Sequence, residues 1–121
     1  PDYVESHNNL GVALMSLGQM DLASKAFKKA LDINPRYAYA NNNYASTLKS
    51  LGKFNESIKY YKKAIDINPE FFEAHNNLGN VFKDLKRYDE SFASYEYAFS
   101  LQPDANYIIG NIKTRIVILF G

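Results

Sequence analysis

The feature that most constrains the fold is a 34-residue period running through the chain. The segment HNNLG occupies residues 7–11 and returns at residues 75–79, with NNNYA at residues 41–45 halfway between them. Prolines keep the same spacing, at Pro1, Pro35, Pro69 and Pro103. A repeated unit of this length is one supersecondary element that cannot bury its apolar face alone, so neighbouring units must stack. The period therefore predicts a stacked array rather than one closed core.

Within each unit the apolar spacing predicts two helices joined by a tight turn. In the first unit His7, Leu10 and Leu14 share one helix face, and Phe27 and Ala30 share a face of a second helix. The second helix should stop before each proline, because the residue before proline disfavours helical backbone. The units span residues 1–34, 35–68 and 69–102, and residues 103–121 are a truncated fourth unit or a terminal helix. All of them together, residues 1–121, are predicted to form a single all-α domain.

The turn inside each unit carries glycine or a substitute for it. Gly18 and Gly52 can each end a helix with a left-handed residue, whereas the third unit has Lys86 at that position. A lysine there implies a turn that is strained by up to roughly 1 kcal/mol or is built differently. The residues predicted to cap the second helices are Asp21, Asn55 and Asp89.

Small and large residues alternate at fixed places in the units. Small residues recur at Gly11, Ala45 and Gly79 and at Ala23, Ser57 and Ser91, and large ones recur at Phe27, Tyr61 and Tyr95. Small residues let helix backbones approach, and large side chains fill the space beside them. The 10 tyrosines and 8 phenylalanines of the chain are therefore mainly expected in the core.

Composition excludes several classes of function. The chain of 121 residues is 46% hydrophobic and 22% charged, as in ordinary globular domains. A net charge of +1 argues against a nucleic-acid or anionic-membrane partner. The absence of cysteine excludes disulfides, thiolate catalysis and cysteine zinc sites.

Processing and location are also read from the sequence. The longest apolar run, residues 116–120, is far too short to span a bilayer. No signal peptide is recognisable, so a cytoplasmic location is the expectation, and the chain does not begin with methionine, so we expect it to be part of a longer protein.

The repeat resembles the tetratricopeptide repeat (TPR) family. The family pattern, aromatic-x-x-Leu-Gly-x-x-Tyr, then Ala-x-x-x-Phe, Ala and Pro, is matched in the first unit by His7, Leu10, Gly11, Leu14, Ala23, Phe27, Ala30 and Pro35. Departures such as Asn41 for the leading aromatic and Ala45 for the glycine keep a planar or small side chain. The resemblance implies a right-handed superhelix of three helix-turn-helix repeats plus a C-terminal helix, with the first helices lining a concave groove. It also implies a noncatalytic module that binds proteins or peptides.

A narrower resemblance is to the TPR arms of O-GlcNAc-transferase (SPINDLY-type) glycosyltransferases. The residues that carry it are EAHNNLGN at 73–80 and NYIIGNIKTRI at 106–116. This resemblance implies a substrate-presenting arm whose catalytic domain lies downstream in the parent protein. A self-associating scaffold is a third possibility.

Helix geometry separates the asparagines of HNNLG from its histidine. At about 100° per residue, His7 shares a face with Leu10, whereas Asn8 and Asn9 point away, toward the groove that the family implies. A side-chain amide can bind the C=O and the N–H of a peptide bond together. The second asparagine of each pair is therefore a candidate rung of a peptide-binding ladder, at Asn9, Asn43 and Asn77, with Asn111 in register. O-GlcNAc-transferase arms use such a ladder, and the resemblance carries that role to these four positions.

Alternatively, the asparagines tie neighbouring repeats together or face water. The first asparagines of the pairs, Asn8, Asn42 and Asn76, are weaker candidates for peptide contact. Further groove candidates are Asn80, Lys49 and Lys83, and the two lysines would suit an acidic or carboxylate-bearing partner. TPR clamps for chaperone tails need converging Lys and Arg residues beside the asparagines. The neighbours here are Glu5, Glu73, Val12 and Ser46, so we do not expect a clamp of that kind.

No catalytic, metal or cofactor site is predicted. His7 and His75 lie two repeats apart, roughly 20 Å if each repeat advances by about one helix diameter. They are too far apart to share a metal at ligand distances of about 2 Å. The spacing supports no Ser–His–Asp or Cys–His arrangement, and each histidine is expected to be a partly buried ring.

The end of the chain carries apolar residues that the predicted packing does not use. They are Ile108, Val117, Ile118 and Phe120. Extra apolar surface of this kind usually marks an interface. We therefore predict that the chain can form a homo-oligomer through residues 108–120, unless a downstream domain covers them.

Overall fold

Six α-helices make up residues 3–101, the part of the chain that the computed structural model describes. They are α1 (Tyr3–Ser16), α2 (Met20–Ile33), α3 (Ala38–Ser50), α4 (Phe54–Ile67), α5 (Phe72–Asp84) and α6 (Tyr88–Leu101). The starts of α2, α4 and α6 are 34 residues apart, as are those of α3 and α5. The prediction of an all-helical fold of paired helices is therefore confirmed. The predicted terminal helix or fourth unit, residues 103–121, lies outside the described residues.

Contacts along the chain divide it into two compact units, Pro1–Pro69 and Glu70–Gly121. In the first unit α1 packs against α2 and α3 packs against α4, and α3 also contacts both α1 and α2. In the second unit α5 packs against α6. Each unit is described below by itself, and the single domain over residues 1–121 stays a prediction.

Small and large residues interlock inside two of the helix pairs, α1–α2 and α5–α6, as predicted. In the first pair the fully buried ring of Phe27 lies directly on Gly11, so closely that an added Cβ would overlap with the ring. In the α5–α6 pair, a Cβ added at Gly79 would lie 2.5 Å from the ring of Tyr95. Glycine is therefore required for close approach at these two places, and the aromatic rings fill the space that it leaves.

Two buried serines add a hydrogen bond that the sequence pattern does not show. The Ser57 hydroxyl donates to the carbonyl oxygen of Ala45 at 2.8 Å, and the Ser91 hydroxyl donates to that of Gly79 at 2.7 Å. Both serines are fully buried, so the hydrogen bond offsets the cost of removing each hydroxyl from water. Each of these bonds ties the second helix of a pair to the first.

The turns after α1, α3 and α5 have the same geometry. Gly18, Gly52 and Lys86 take φ values of 76°, 80° and 61°. The residue after each one donates its N–H to a carbonyl five residues back, as Arg87 does to Phe82 at 2.8 Å. This is the Schellman arrangement, in which a left-handed residue ends the helix. Lys86 therefore keeps the common turn and accepts the strain, instead of building a different one.

Replacing Lys86 by glycine should raise the free energy of unfolding by about 0.5–1 kcal/mol, because glycine takes a positive φ without a Cβ penalty. The reciprocal change Gly52→Lys should lower it by a similar amount. Urea denaturation followed by circular dichroism measures both effects. The matched control is Lys86→Ala, which keeps the Cβ and should remain close to wild type. An equal gain from Lys86→Ala would show that the backbone conformation is not the cause.

The predicted helix caps were wrong. Helix α2 begins at Met20 and α4 at Phe54, so the N-cap residues are Gln19 and Lys53, and neither makes a side-chain capping bond. Each of these two residues also completes the Schellman turn of the preceding helix, so no separate capping position remains. The residues predicted as caps, Asp21, Asn55 and Asp89, lie one residue inside their helices. The two aspartates there still interact favourably with the positive end of the helix dipole.

Candidate functional site

The first helices of the first unit, α1 and α3, contact each other and expose one shared set of side chains. Residues spaced by four, three and four positions lie along one stripe of a helix. We call these two stripes together the first-helix face; its members are Glu5, Asn9, Val12 and Ser16 on α1, and Tyr39, Asn43, Ser46 and Ser50 on α3. Val12 is 38% exposed and Tyr39 is 61% exposed. The face therefore offers apolar side chains to solvent among amides and hydroxyls.

A side-chain hydrogen bond joins α1 to α3 at this face. The Nδ2 of Asn43 donates to the Oδ1 of Asn8 at 3.1 Å. Asn8 is buried and Asn43 is half-buried. Because an amide has two donor hydrogens and one acceptor oxygen, this bond occupies only part of the Asn43 side chain. Asn43 thus links neighbouring repeats, which is the alternative role considered for these asparagines. It still has hydrogen-bonding capacity for a ligand.

The two asparagines of each pair differ in exposure. The first ones, Asn8, Asn42 and Asn76, are 6%, 4% and 6% exposed. Among the second ones, Asn9 is exposed, whereas Asn43 and Asn77 are half-buried. For Asn8 the reason is its position on the flank of α1 that meets α3, where it accepts the bond from Asn43. The second asparagines are therefore better placed to meet a ligand than the first.

Buried tyrosines of the second helices support polar residues of the first helices. The hydroxyls of Tyr61 and Ser46 are 2.7 Å apart, and the hydroxyl of Tyr95 donates to the Oδ1 of Asn80 at 2.5 Å. Sequence reasoning placed both tyrosines in the core but missed these bonds. The sequence contained a signal for these bonds. The first repeat has apolar residues at both equivalent positions, Val12 and Phe27, whereas the later repeats have polar groups at both.

Burial sets the charge state of these two tyrosines. It raises the pKa of Tyr61 to about 12, although side-chain hydrogen bonds with Ser46 and Ser57 act in the opposite direction. Burial likewise raises the pKa of Tyr95 to about 12, although a side-chain hydrogen bond with Ser91 acts in the opposite direction. Both hydroxyls are therefore protonated at neutral pH. In that form the Tyr95 hydroxyl donates to Asn80 and holds its amide in place.

The remaining predicted residues fall in different parts of the structure. Lys49 and Lys83 are half-buried in the last turns of α3 and α5, where a cation is favoured by the helix dipole. The ring of His75 packs against that of Tyr97 with centroids 4.4 Å apart, and His7 is half-buried. Within residues 3–101 no cluster of three His, Asp or Glu side chains could hold a metal. Five of the predicted site residues lie outside the described range: Asn111, Ile108, Val117, Ile118 and Phe120.

Paired helices repeating every 34 residues define a helical-repeat protein. Tetratricopeptide repeat profiles match residues 4–37, 26–59 and 72–105, and a TPR repeat profile matches residues 45–86. The chain therefore belongs to the tetratricopeptide repeat family. These matches do not specifically support the narrower resemblance to O-GlcNAc-transferase arms. A comparison with curated proteins returned no significant match.

Several solved structures are similar to this chain. The first TPR of Spaghetti (RPAP3), bound to the HSP90 peptide SRMEEVD, has a TM-score of 0.94 at 20% identity, over 99% of this chain and 95% of that one. The Arabidopsis OM64 TPR domain has a TM-score of 0.90 at 23% identity, over 93% of each chain. MamA has a TM-score of 0.88 at 23% identity, over 96% of this chain and 68% of that one. At these identities the similarities establish the fold alone. Among the described helices, none has the length and apolar character that a membrane span requires.

Proposed function

We propose that this chain is a noncatalytic interaction module that binds an extended peptide along the first-helix face. The observation that carries the proposal is the exposure of Val12 and Tyr39 on the same face as Asn9 and Asn43. Specific ligand sites combine apolar contact surface with a few placed polar groups. Amides can take up the backbone of an extended peptide, and exposed apolar side chains can contact its side chains.

The hydrogen-bonding groups of the face suit a peptide backbone. Asn9 is exposed, and Asn43 is held by Asn8 through only one of its donor hydrogens. A peptide bond presents one donor and one acceptor, which matches the remaining N–H and Oδ1 of such an amide. In the second unit Asn77 occupies the same place on its own first helix, α5. Binding through the backbone makes little demand on the sequence of the peptide.

Peptide binding by the similar TPR of Spaghetti supports the ligand class but not its identity. A chaperone tail ends in a carboxylate, and this chain places Glu5 and Val12 on the first-helix face and Glu73 at the equivalent position of α5. A carboxylate near a glutamate is repelled. We therefore infer an internal, extended segment as the ligand, bound without a carboxylate clamp.

The test is binding to an array of extended peptides by the wild type and the triple variant Asn9→Ala/Asn43→Ala/Asn77→Ala. Each lost hydrogen bond contributes about 0.5–1.5 kcal/mol, so the triple variant should bind at least about tenfold more weakly. The matched control is Asn55→Ala, which removes an exposed amide from α4. Because Asn43→Ala leaves Asn8 without its partner, the single variant Asn9→Ala and the helicity of each protein are measured as well. Equal binding by all variants would exclude the ladder.

The second candidate function is that of a substrate-presenting arm of a glycosyltransferase. Such an arm would bind extended peptides in the same way, as part of a larger parent protein. Both candidates rest on the position of Asn9, Asn43 and Asn77, which are all at least partly exposed. Broad binding that depends on these three amides is expected under both candidates. A glycosyltransferase domain encoded downstream would distinguish them.

A further inference from the structure

Glu5 supplies the negative charge of the first-helix face in the first unit. It is exposed in the first turn of α1, and the other members of the face in that unit are uncharged residue types. Within residues 3–101 its carboxylate forms no ion pair. A carboxylate on a ligand-binding surface attracts a cation of the ligand.

Helix geometry places Glu5 beside Tyr39. Helix α2 runs back along α1 and α3 runs back along α2, so α1 and α3 are parallel. The bond from Asn43 to Asn8 fixes which parts of these two helices are level. Glu5 lies one turn before Asn8 on α1, and Tyr39 lies one turn before Asn43 on α3. Glu5 and Tyr39 are therefore level on neighbouring helices.

A second tyrosine ring lies close to the same carboxylate. The rings of Tyr37 and Tyr39 meet edge to face, with centroids 5.9 Å apart and an angle of 62° between their planes. Tyr37 packs against the same buried cluster as Val4, the residue before Glu5. Burial raises the pKa of the Tyr37 hydroxyl, and the charge of Glu5 raises it further, as a nearby carboxylate does. Two rings and a carboxylate thus lie together where α1 and α3 begin.

This group of side chains is accessible to a ligand. Tyr39 is 61% exposed, and Tyr37 is half-buried. Tyr39 occupies the position of Glu5 one repeat later, and it is exposed although a complete repeat precedes it. A repeat stacked before α1 would therefore leave Glu5 exposed as well.

Aromatic rings beside a carboxylate are suited to binding a cation. A cation is attracted to the face of a tyrosine ring within about 6 Å of its centroid. This chain contains two such pairs, because the Nζ atoms of Lys59 and Lys63 lie 5.5 Å and 5.6 Å from the centroid of the Tyr60 ring. Among cationic side chains arginine fits best, since its planar guanidinium stacks on rings and donates two parallel hydrogen bonds to a carboxylate.

We propose that Glu5, Tyr37 and Tyr39 form a subsite for a cationic side chain, preferably arginine, of the extended peptide. This inference rests on the proposed function, because the same peptide is held at its backbone by Asn9 and Asn43. Glu5 and Asn9 are one helix turn apart, about 6 Å along α1, so the cationic residue belongs to the stretch of peptide that these amides hold. The subsite adds a sequence preference to binding through the backbone.

The probes are three dye-labelled, capped peptides of alternating serine and threonine, with arginine, citrulline or glutamate at the centre. Citrulline has the shape of arginine without its charge. Each peptide is titrated with the full chain, and its affinity is measured by fluorescence anisotropy. The arginine peptide should bind about tenfold more tightly than the citrulline peptide, and the glutamate peptide should bind most weakly. The net charge of +1 on the chain would by itself favour the glutamate peptide.

Two variants of Glu5 test the carboxylate. Glu5→Gln changes an exposed residue, so folding is retained, and it should reduce the preference for arginine from about tenfold to about twofold. Glu5→Lys should reverse the order of the arginine and glutamate peptides. The matched control is Glu56→Gln, which removes an exposed carboxylate from the first turn of α4 and should keep the wild-type order.

Two variants of Tyr39 test the aromatic part of the subsite. Tyr39→Leu should lower the preference for arginine by about two- to fivefold, because a ring face is lost. Tyr39→Phe keeps the ring and should leave the preference unchanged. In NMR titrations of the isotope-labelled chain, the shifts at the amides of Glu5 and Tyr39 should be larger with the arginine peptide than with the citrulline peptide.

Two outcomes would overturn the subsite alone. They are equal affinity of the wild type for the arginine and citrulline peptides, and a preference for arginine that both Glu5 variants retain. In either case Asn9→Ala still tests the proposed function, because it should weaken binding of all three peptides alike. Binding of none of the peptides would overturn both proposals.

Discussion

Replacing Phe27 by alanine is expected to lower the free energy of unfolding by about 3–5 kcal/mol. The ring is fully buried between α1 and α2 and lies on Gly11, so its removal loses apolar burial and leaves a cavity. Urea denaturation followed by circular dichroism measures the change. Leu17→Ala is the matched control, since Leu17 is exposed and its truncation should cost less than about 0.5 kcal/mol.

Gly11 provides a sharper test of the same contact, because the sign of its effect should depend on Phe27. In the wild type Gly11→Ala should destabilise by about 1–3 kcal/mol, since the new methyl group overlaps with the ring. In the Phe27→Ala background the methyl group has room, and alanine in a helix interior gains about 0.5–1 kcal/mol over glycine. Gly11→Ala should therefore become stabilising there.

The coupling energy from the double-mutant cycle of Gly11 and Phe27 decides whether this explanation is right. A coupling energy near zero would mean that the ring moves aside freely and that glycine is not required at residue 11. The second repeat shows that alanine is acceptable where its surroundings suit it, because Ala45 occupies the equivalent position and is fully buried. The requirement for glycine thus depends on how closely the partner ring approaches, as Phe27 does at Gly11 and Tyr95 does at Gly79.

Raising the pH from 10 to 12 is expected to lower the free energy of unfolding by about 2–3 kcal/mol through Tyr61. Each pH unit between the pKa of the unfolded state and that of the folded state changes this free energy by about 1.4 kcal/mol. Folding raises the pKa of Tyr61 from about 10 to about 12 through burial, so the folded state favours the protonated phenol. The contribution is fully present below pH 10 and is lost as the pH rises toward 12. Tyr95 changes in the same direction. Unfolding free energies measured from pH 9 to 12 test this loss.

Tyr61→Phe should weaken the alkaline loss, because no phenol remains to ionise at that position. At neutral pH it should cost about 0.5–1.5 kcal/mol, since the hydrogen bond with Ser46 is lost. Ser46→Ala is the control: it removes the same bond but keeps the buried phenol, so its alkaline loss should persist. If Tyr61→Phe and Ser46→Ala have the same pH dependence, burial of this phenol is not the cause.

The repeat pattern was sufficient to predict the helix pairs, because it depends on local spacing alone. The recurrence of small residues at Gly11 and Gly79 and of large ones at Phe27 and Tyr95 was visible in the sequence, but which ring lies on which glycine came from the structure. Helix caps were not predictable in this way. Whether Asp21 caps α2 depends on how the preceding turn uses the backbone groups of Gln19, which the residue types do not reveal.

The asparagines show a second limit of sequence reasoning. A helical angle places Asn8 and Asn9 relative to the axis of α1, but it does not say where α3 lies. The contact with α3 buries Asn8 and leaves Asn9 exposed, so two neighbouring residues with the same side chain have different surroundings. The predicted role of the second asparagines stays a prediction, and the structure explains why they are the better candidates.

The hydrogen bond between Ser46 and the buried Tyr61 hydroxyl links the ligand preference of the first-helix face to the stability of the fold. Ser46 lies on the first-helix face and is hydrogen-bonded to the phenol of Tyr61, which belongs to the core. A substitution at residue 46 that cannot form this bond would remove the Ser46 hydrogen bond from the buried Tyr61 hydroxyl, which costs about 0.5–1.5 kcal/mol. The first repeat shows the compatible alternative, an apolar residue at Val12 over Phe27. Redesign of specificity at this position therefore has to change surface and core residues together, and a library that varies only the surface would select for stability before it selects for binding.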